Sequence, residues 1–228
     1  MSSTTTGKVL RDPASGRLEL HNAIKESLPD VHRKVLKAVS GCKRIYLVGN
    51  GYDFDEFSAR LARSLGDVLS GAACLWMKPM PHPFPNGWRS FLVAQEMVEP
   101  TAGDETALVL GQSVVADEFE LVTAAGRVWE GAAFERVVIA GAMIERKVGK
   151  NLAAHFQSHL SVEVQFAPHE VSDEDLSEVR DRVLETLDDR PVKLIPPMLK
   201  WMMRREFGPR PGNDSAPQVS APPRRPGR

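Results

Sequence analysis

The chain has 228 residues, with 42% hydrophobic side chains and 29 Lys and Arg against 30 Asp and Glu. That length suits one sizeable domain and builds a core without disulfide or metal staples. A net charge of -1 excludes a dedicated nucleic-acid coat, and two cysteines, Cys42 and Cys74, exclude a disulfide scaffold or a multi-cysteine zinc site.

Residues 1–17 are polar at the start and lack the apolar core of a secretory signal, so they are read as a flexible N-terminus. No apolar run approaches the roughly 20 residues of a membrane helix. A cytoplasmic protein without membrane contact is expected. Leu18 to Leu28 and Asp30 to Val39 carry helical periodicity, with a break or kink at Pro29. Arg44 to Val48 is a short apolar strand followed by Gly49, Asn50 and Gly51. From Asp53 to Leu65, Phe54, Phe57, Leu61 and Leu65 recur at helical spacing, and Gly66 closes that helix.

Ala72 to Met77 is a second buried strand ending at Lys78, and a proline-rich loop from Pro79 to Gly87 separates it from a strand at Phe91 to Met97. Ala107 to Leu110 is the next strand, Gly111 to Asp117 a loop, and Glu118 to Trp129 a helix. Arg136 to Gly141 is a strand, Arg146 to Phe156 a helix, and Ser161 to Phe166 a strand. Ser172 with Asp173, Glu174 and Asp175 reads as a capping box opening a helix to Leu187. Pro197 to Phe207 is expected to form a last short helix carrying Trp201.

Continuous apolar strands separated by amphipathic helices indicate parallel pairing covered on both faces. The fold class is therefore α/β: one doubly wound, mainly parallel sheet domain over residues 18–208. The final stretch, 209–228, holds six prolines, four arginines and one acid, and is expected to be a disordered Pro/Arg-rich tail. Its net charge of +3 leaves -4 on the rest of the chain. Through the tail a weak nucleic-acid contact is expected, and through the Trp201 helix a protein partner.

In such sheets ligands bind at the carboxyl ends of the strands. That selects Gly49, Asn50 and Gly51, then Lys78, then Gln112 and Ser113 as ligand-binding candidates. Asp117 and Glu118, with Glu120 nearby, stand where an acid or base would serve, and are the catalytic candidates. A plainer reading makes them helix caps. His155 and His159 share one helical face, but no third metal ligand is evident, and no metal site is assigned.

The order of these elements resembles the type I phosphoribosyltransferases over about residues 18–167. That family places a glycine turn and a helix with Ala and Leu after its first sheet strand, here Gly49 to Gly51, then Ala59, Leu61 and Ala62. A strand ending in a basic residue follows, here Lys78, then a long loop, here Pro79 to Gly87. Its signature is a hydrophobic strand, two acids, aliphatics, a small residue and Thr-Gly before the phosphate-cradling helix. Val109, Leu110, Val114, Val115 and Ala116 fit the aliphatic frame. Gln112 and Ser113 replace the acid pair, and Asp117 and Glu118 replace Thr-Gly.

The resemblance implies a phosphoribosyltransferase-like fold and a nucleotide, nucleobase or ribosyl ligand. It implies magnesium only if ribosyl-phosphate chemistry is retained. The departures imply divergence from standard phosphoribosyl transfer, because two carboxylates stand where a phosphate would bind. A divergent transferase or an enzyme of N-glycosidic bonds is one outcome. A regulatory or protein-interaction module that kept the fold is another. The helix, strand, glycine turn and helix around IYLVGNGYDFDEF also resemble sugar isomerase domains that bind phosphosugars, whose serine-rich phosphate stretch leaves only Ser113 here. A homo-oligomer is expected.

Overall fold

The computed structural model describes residues 4–80, 90–101, 106–129 and 134–188. Seven strands form one sheet: β1 (Ile45–Asn50), β2 (Leu69–Pro79), β3 (Phe91–Val98), β4 (Ala107–Gly111), β5 (Val114–Val115), β6 (Arg136–Glu145) and β7 (Glu163–Ser172). From one edge, β3 pairs β2, β2 pairs β1, β1 pairs β4, and β4 pairs the first half of β6. The short β5 pairs the end of β6 at Met143 and Ile144, and β7 pairs β6 from Arg136 to Glu145. Every pairing is parallel except β2 with β3.

Among the described residues six α-helices accompany the sheet: α1 (Thr5–Arg11), α2 (Arg17–Ala38), α3 (Ser58–Leu65), α4 (Glu118–Trp129), α5 (Arg146–Leu160) and α6 (Ser177–Asp188). The central strands are apolar over residues 45–48 and 107–110 because alternate side chains enter two different cores. Ile45, Leu47 and Val109 pack in a core with Leu20, Ile24, Leu61 and Val183, drawn from α2, α3 and α6. Tyr46, Val48, Leu108 and Leu110 pack on the other face with Leu121, Val128, Leu152 and Phe156 of α4 and α5.

Several expected boundaries are corrected. The break at Pro29 does not occur, since α2 runs through it as one helix of 22 residues. Proline removes one amide bond, but Leu20, Ile24, Val31 and Val35 on the same helix are fully buried and hold both halves to the sheet. The N-terminus expected to be flexible contains α1. Thr4 caps it by accepting from the Gly7 amide at 2.9 Å, and Arg11 reaches Glu170 at 2.8 Å. Helix α3 starts at Ser58 rather than Asp53, because residues 51–57 form turns in which the Glu56 and Phe57 amides donate to the Asp53 carbonyl.

The helix expected from Ser172 starts at Ser177. Ser172 ends β7, where its hydroxyl accepts from the Glu174 amide at 3.1 Å, and Asp175 Oδ1 accepts from the Ser177 amide at 2.8 Å. The strands expected to end at Gly141 and Phe166 run on to Glu145 and Ser172, because β6 and β7 pair along their lengths. Gly66 does close α3, with φ of 58°. The Pro197 to Phe207 helix with Trp201, the tail from 209 and most of the proline-rich loop lie outside the described residues.

Candidate functional site

The chain leaves β1 to one side for β2 and later fills the other side with β4, so their following loops part at the carboxyl edge of the sheet. At that point four polar side chains from distant segments meet. Glu120 is fully buried, and Asn50 and Gln112 are 3% and 1% exposed. Asn50 Nδ2 donates to Glu120 Oε1 at 2.8 Å, and Gln112 Nε2 donates to Oε2 at 3.1 Å. Arg180 reaches in from α6: its Nε donates to Oε2 at 3.0 Å, and its Nη2 donates to Oε1.

This is a bidentate guanidinium–carboxylate pair, the strongest geometry available to such groups. Burial opposes the charge of Arg180, but Glu120 and Asp181 outweigh it and hold the guanidinium above its usual pKa. The same group lies 5.8 Å from the centroid of the Phe91 ring. Asn50 has a second task. Its Oδ1 accepts from the Tyr52 amide at 3.0 Å and shapes the turn after β1.

The amino end of α4 is occupied by its own side chain. Asp117 Oδ1 accepts from the amides of Phe119 at 2.9 Å and Glu120 at 3.4 Å. These amides are among the free donors that a phosphate would use at a helix start. Burial raises the pKa of Asp117, and the nearby Glu120 and Glu118 add to the rise. Glu118 turns aside to α5, where its Oε1 accepts from Asn151 Nδ2 at 3.0 Å.

The glycines of the first loop answer to packing. A methyl group on Gly49 would overlap the Ser58 hydroxyl and the Phe54 ring, and one on Gly51 would overlap the Trp76 indole. Ser58 Oγ donates to the Gly111 carbonyl at 3.0 Å, so Gly49 lets α3 tie β1 to β4. Gly49→Ala is expected to lower stability by about 1–3 kcal/mol, the usual cost of overpacking. Urea unfolding checks this; an unchanged midpoint would mean that the glycine faces open space.

Asp53, assigned to a helix start from its position, is instead fully buried. The Ser113 amide donates to its Oδ2 at 2.6 Å, joining the loop after β1 to the loop after β4. Burial drives the Asp53 carboxyl up to about 7, against the opposing effect of the Ser113 bonds, with Glu56 and Glu120 adding to the rise.

Beside Arg180 a cleft of about 370 Å³ opens between the end of β2 and α6. Tyr52, Met77 and Lys78 form one wall, with Lys78 exposed at its rim, and Arg180, Leu184 and Asp188 belong to the other. Burial raises the pKa of the Tyr52 hydroxyl, so it stays a hydrogen-bond donor at neutral pH. The cleft thus joins an aromatic ring, apolar side chains, one amine and the acids of α6.

The residues at this edge do not fit a ribose-bound magnesium ion. Gln112 and Ser113 carry no charge, and the carboxylate of Glu120 is already taken by Arg180. Among the described residues no group of three His, Cys, Asp or Glu is placed to hold a metal. His155 and His159 lie side by side on α5, their rings tilted at 49° with centroids 4.6 Å apart.

Of the expected site residues, Asn50, Gln112 and Ser113 come together, Asp117 lies at the next turn, and Lys78 lies across the cleft. Glu120 had been grouped with the first-turn acids. Its partner Arg180 lies 60 residues away, and no local signal marks it.

With parallel order, an antiparallel edge hairpin and a switch between β1 and β4, the chain has a doubly wound, mainly parallel α/β fold. Among solved structures, the AQ2163 protein of Aquifex aeolicus is similar at a TM-score of 0.52 and 12% identity, over 80% of this chain and 95% of that one. A purine phosphoribosyltransferase from Pyrococcus horikoshii is similar at 0.44 and 12% identity, over 66% of this chain and 84% of that one. The APRTase of Giardia lamblia complexed with 9-deazaadenine is similar at 0.41 and 12% identity, over 69% and 83%. No protein-family model and no curated protein sequence matches the chain.

Proposed function

We propose that this domain binds a nucleobase or nucleoside in the cleft beside Tyr52 and does not carry out phosphoribosyl transfer by the standard route. The observation that carries this reading is the internal use of the polar groups at the carboxyl edge of the sheet. Asp117 takes the α4 amides, and Glu120 takes the guanidinium of Arg180. A 5′-phosphate brought to this edge would meet carboxylates instead of free donors. The cleft itself is of ligand size, with mixed apolar and polar walls, at the carboxyl edge of the sheet beside the end of β2. Asp117 and Glu118 act here as structural acids, and Tyr52 and Lys78 as ligand contacts.

Isothermal titration of the full chain with adenosine, guanosine and inosine, their 5′-monophosphates and phosphoribosyl pyrophosphate tests the reading. At least one nucleoside is expected to bind, and its monophosphate to bind about tenfold or more weakly, from the like-charge repulsion. Incubation of a base with phosphoribosyl pyrophosphate and magnesium is expected to release no pyrophosphate. Monophosphates bound more tightly than nucleosides, or release of pyrophosphate, would overturn it.

A further inference from the structure

We infer that Glu120, steadied by Asn50 and Gln112, is the recognition point for a planar N–H fork on the ligand, and that Arg180 is its internal occupant. This rests on the reading that the adjoining cleft binds a base. Both oxygens of Glu120 face the guanidinium of Arg180, one through Nε at 3.0 Å and the other through Nη2. Asn50 and Gln112 each donate to one of those oxygens from behind, at 2.8 and 3.1 Å, so the carboxylate is held in orientation by groups that do not depend on Arg180.

The guanidinium is a stand-in with a definite chemistry. It offers two parallel N–H donors in one plane, which match the two oxygens of a carboxylate. The N1–H and 2-amino edge of guanine offers the same pair of donors in the same plane, as do free guanidines and amidines. Adenine pairs a donor with an acceptor at the corresponding edge, and hypoxanthine keeps only N1–H. The occupant also stands at the right place. Arg180 lines the cleft from α6 while Glu120 lies fully buried behind it.

Entry of a guanine edge would therefore turn Arg180 out of the carboxylate, where Asp181 on the same helix already accepts from its Nη1. The Arg180 side chain would stay paired, and α6 would shift or loosen. Discrimination follows directly. A bidentate contact to a base edge distinguishes it from its competitors by about ten- to a hundredfold.

The test uses the full wild-type chain and Arg180→Met, with guanosine, inosine, adenosine and methylguanidine as probes. For the wild type, guanosine is expected to bind about tenfold or more tightly than inosine or adenosine. Hydrogen exchange of residues 177–188 is expected to speed up on guanosine binding. With its internal competitor removed, Arg180→Met is expected to bind guanosine and methylguanidine at least about tenfold more tightly than the wild type.

Equal binding of the three nucleosides, or guanosine binding that leaves α6 exchange unchanged, would overturn the inference while leaving the base-binding reading intact. A wild type that binds no nucleoside, with an Arg180→Met variant that takes up methylguanidine, would remove the base-binding reading and keep the fork site. If Arg180→Met fails to fold, the wild-type preference and exchange measurements decide alone.

Discussion

Arg180→Ala and Glu120→Ala are each expected to destabilise the domain by about 3–5 kcal/mol, the usual result of leaving one member of a buried ion pair alone. For a domain of this size that corresponds to a fall in Tm of roughly 6–20 °C. The two partners are 7% and 0% exposed, so each is left with its charge largely withdrawn from water when the other is removed. Glu120 also carries the Asn50 and Gln112 amides, and its loss strands both. Glu120→Ala should therefore be the worse of the two.

Replacing both members together, with Glu120→Leu and Arg180→Met, should recover part of the loss, since apolar pairs can stand in for buried ion pairs. Recovery stays incomplete because the two amides still lack an acceptor. Thermal and urea unfolding of the three variants check this. Single-variant losses below about 1 kcal/mol would show that the carboxylate is satisfied without Arg180.

Asp53 should make the domain less stable as pH rises. Its carboxyl goes from an ordinary 3.8 to about 7 on burial, so the folded chain holds this proton more tightly than the unfolded one. The resulting stabilisation is fully present below about pH 4 and is lost as pH rises through about 7. A shift of that size corresponds to about 4 kcal/mol between the two ends of the window.

Asp53→Asn keeps an oxygen for the Ser113 amide and removes the titration. Its stability relative to the wild type should therefore grow steadily between about pH 4 and 8. Urea unfolding of both proteins across that range measures the difference. A difference that stays constant with pH would show that Asp53 does not titrate there.

The helix α4, Glu118–Trp129, was legible in the sequence to its ends, because the periodicity and the acids of its first turn both mark it. The strands were legible where they are central, since residues 45–48 and 107–110 face apolar helices on both sides and must be apolar throughout. The errors lie where a tertiary contact overrules a local signal. Pro29 would end an isolated helix, but not one pinned by four fully buried side chains. Asp53 has the spacing of a first-turn acid, yet the Ser113 amide 60 residues away draws it inward.

The same division runs through the site. Gln112, Ser113, Asp117 and Glu118 after β4 were legible as polar and acidic groups at the carboxyl edge of the sheet. That followed from the residues alone, because charge and hydrogen-bonding type are properties of each side chain. Which group answers Glu120 depended on where α6 comes to rest. An ion pair across 60 residues leaves no trace in local pattern, since its partners meet only when the whole sheet and both helical layers are in place. The sequence by itself thus determined the mainly parallel α/β architecture, through patterns that act over a few residues. Only the tertiary structure decided that Arg180 is the partner of the buried Glu120, because the energy of a buried charge depends on every neighbour that replaces water around it.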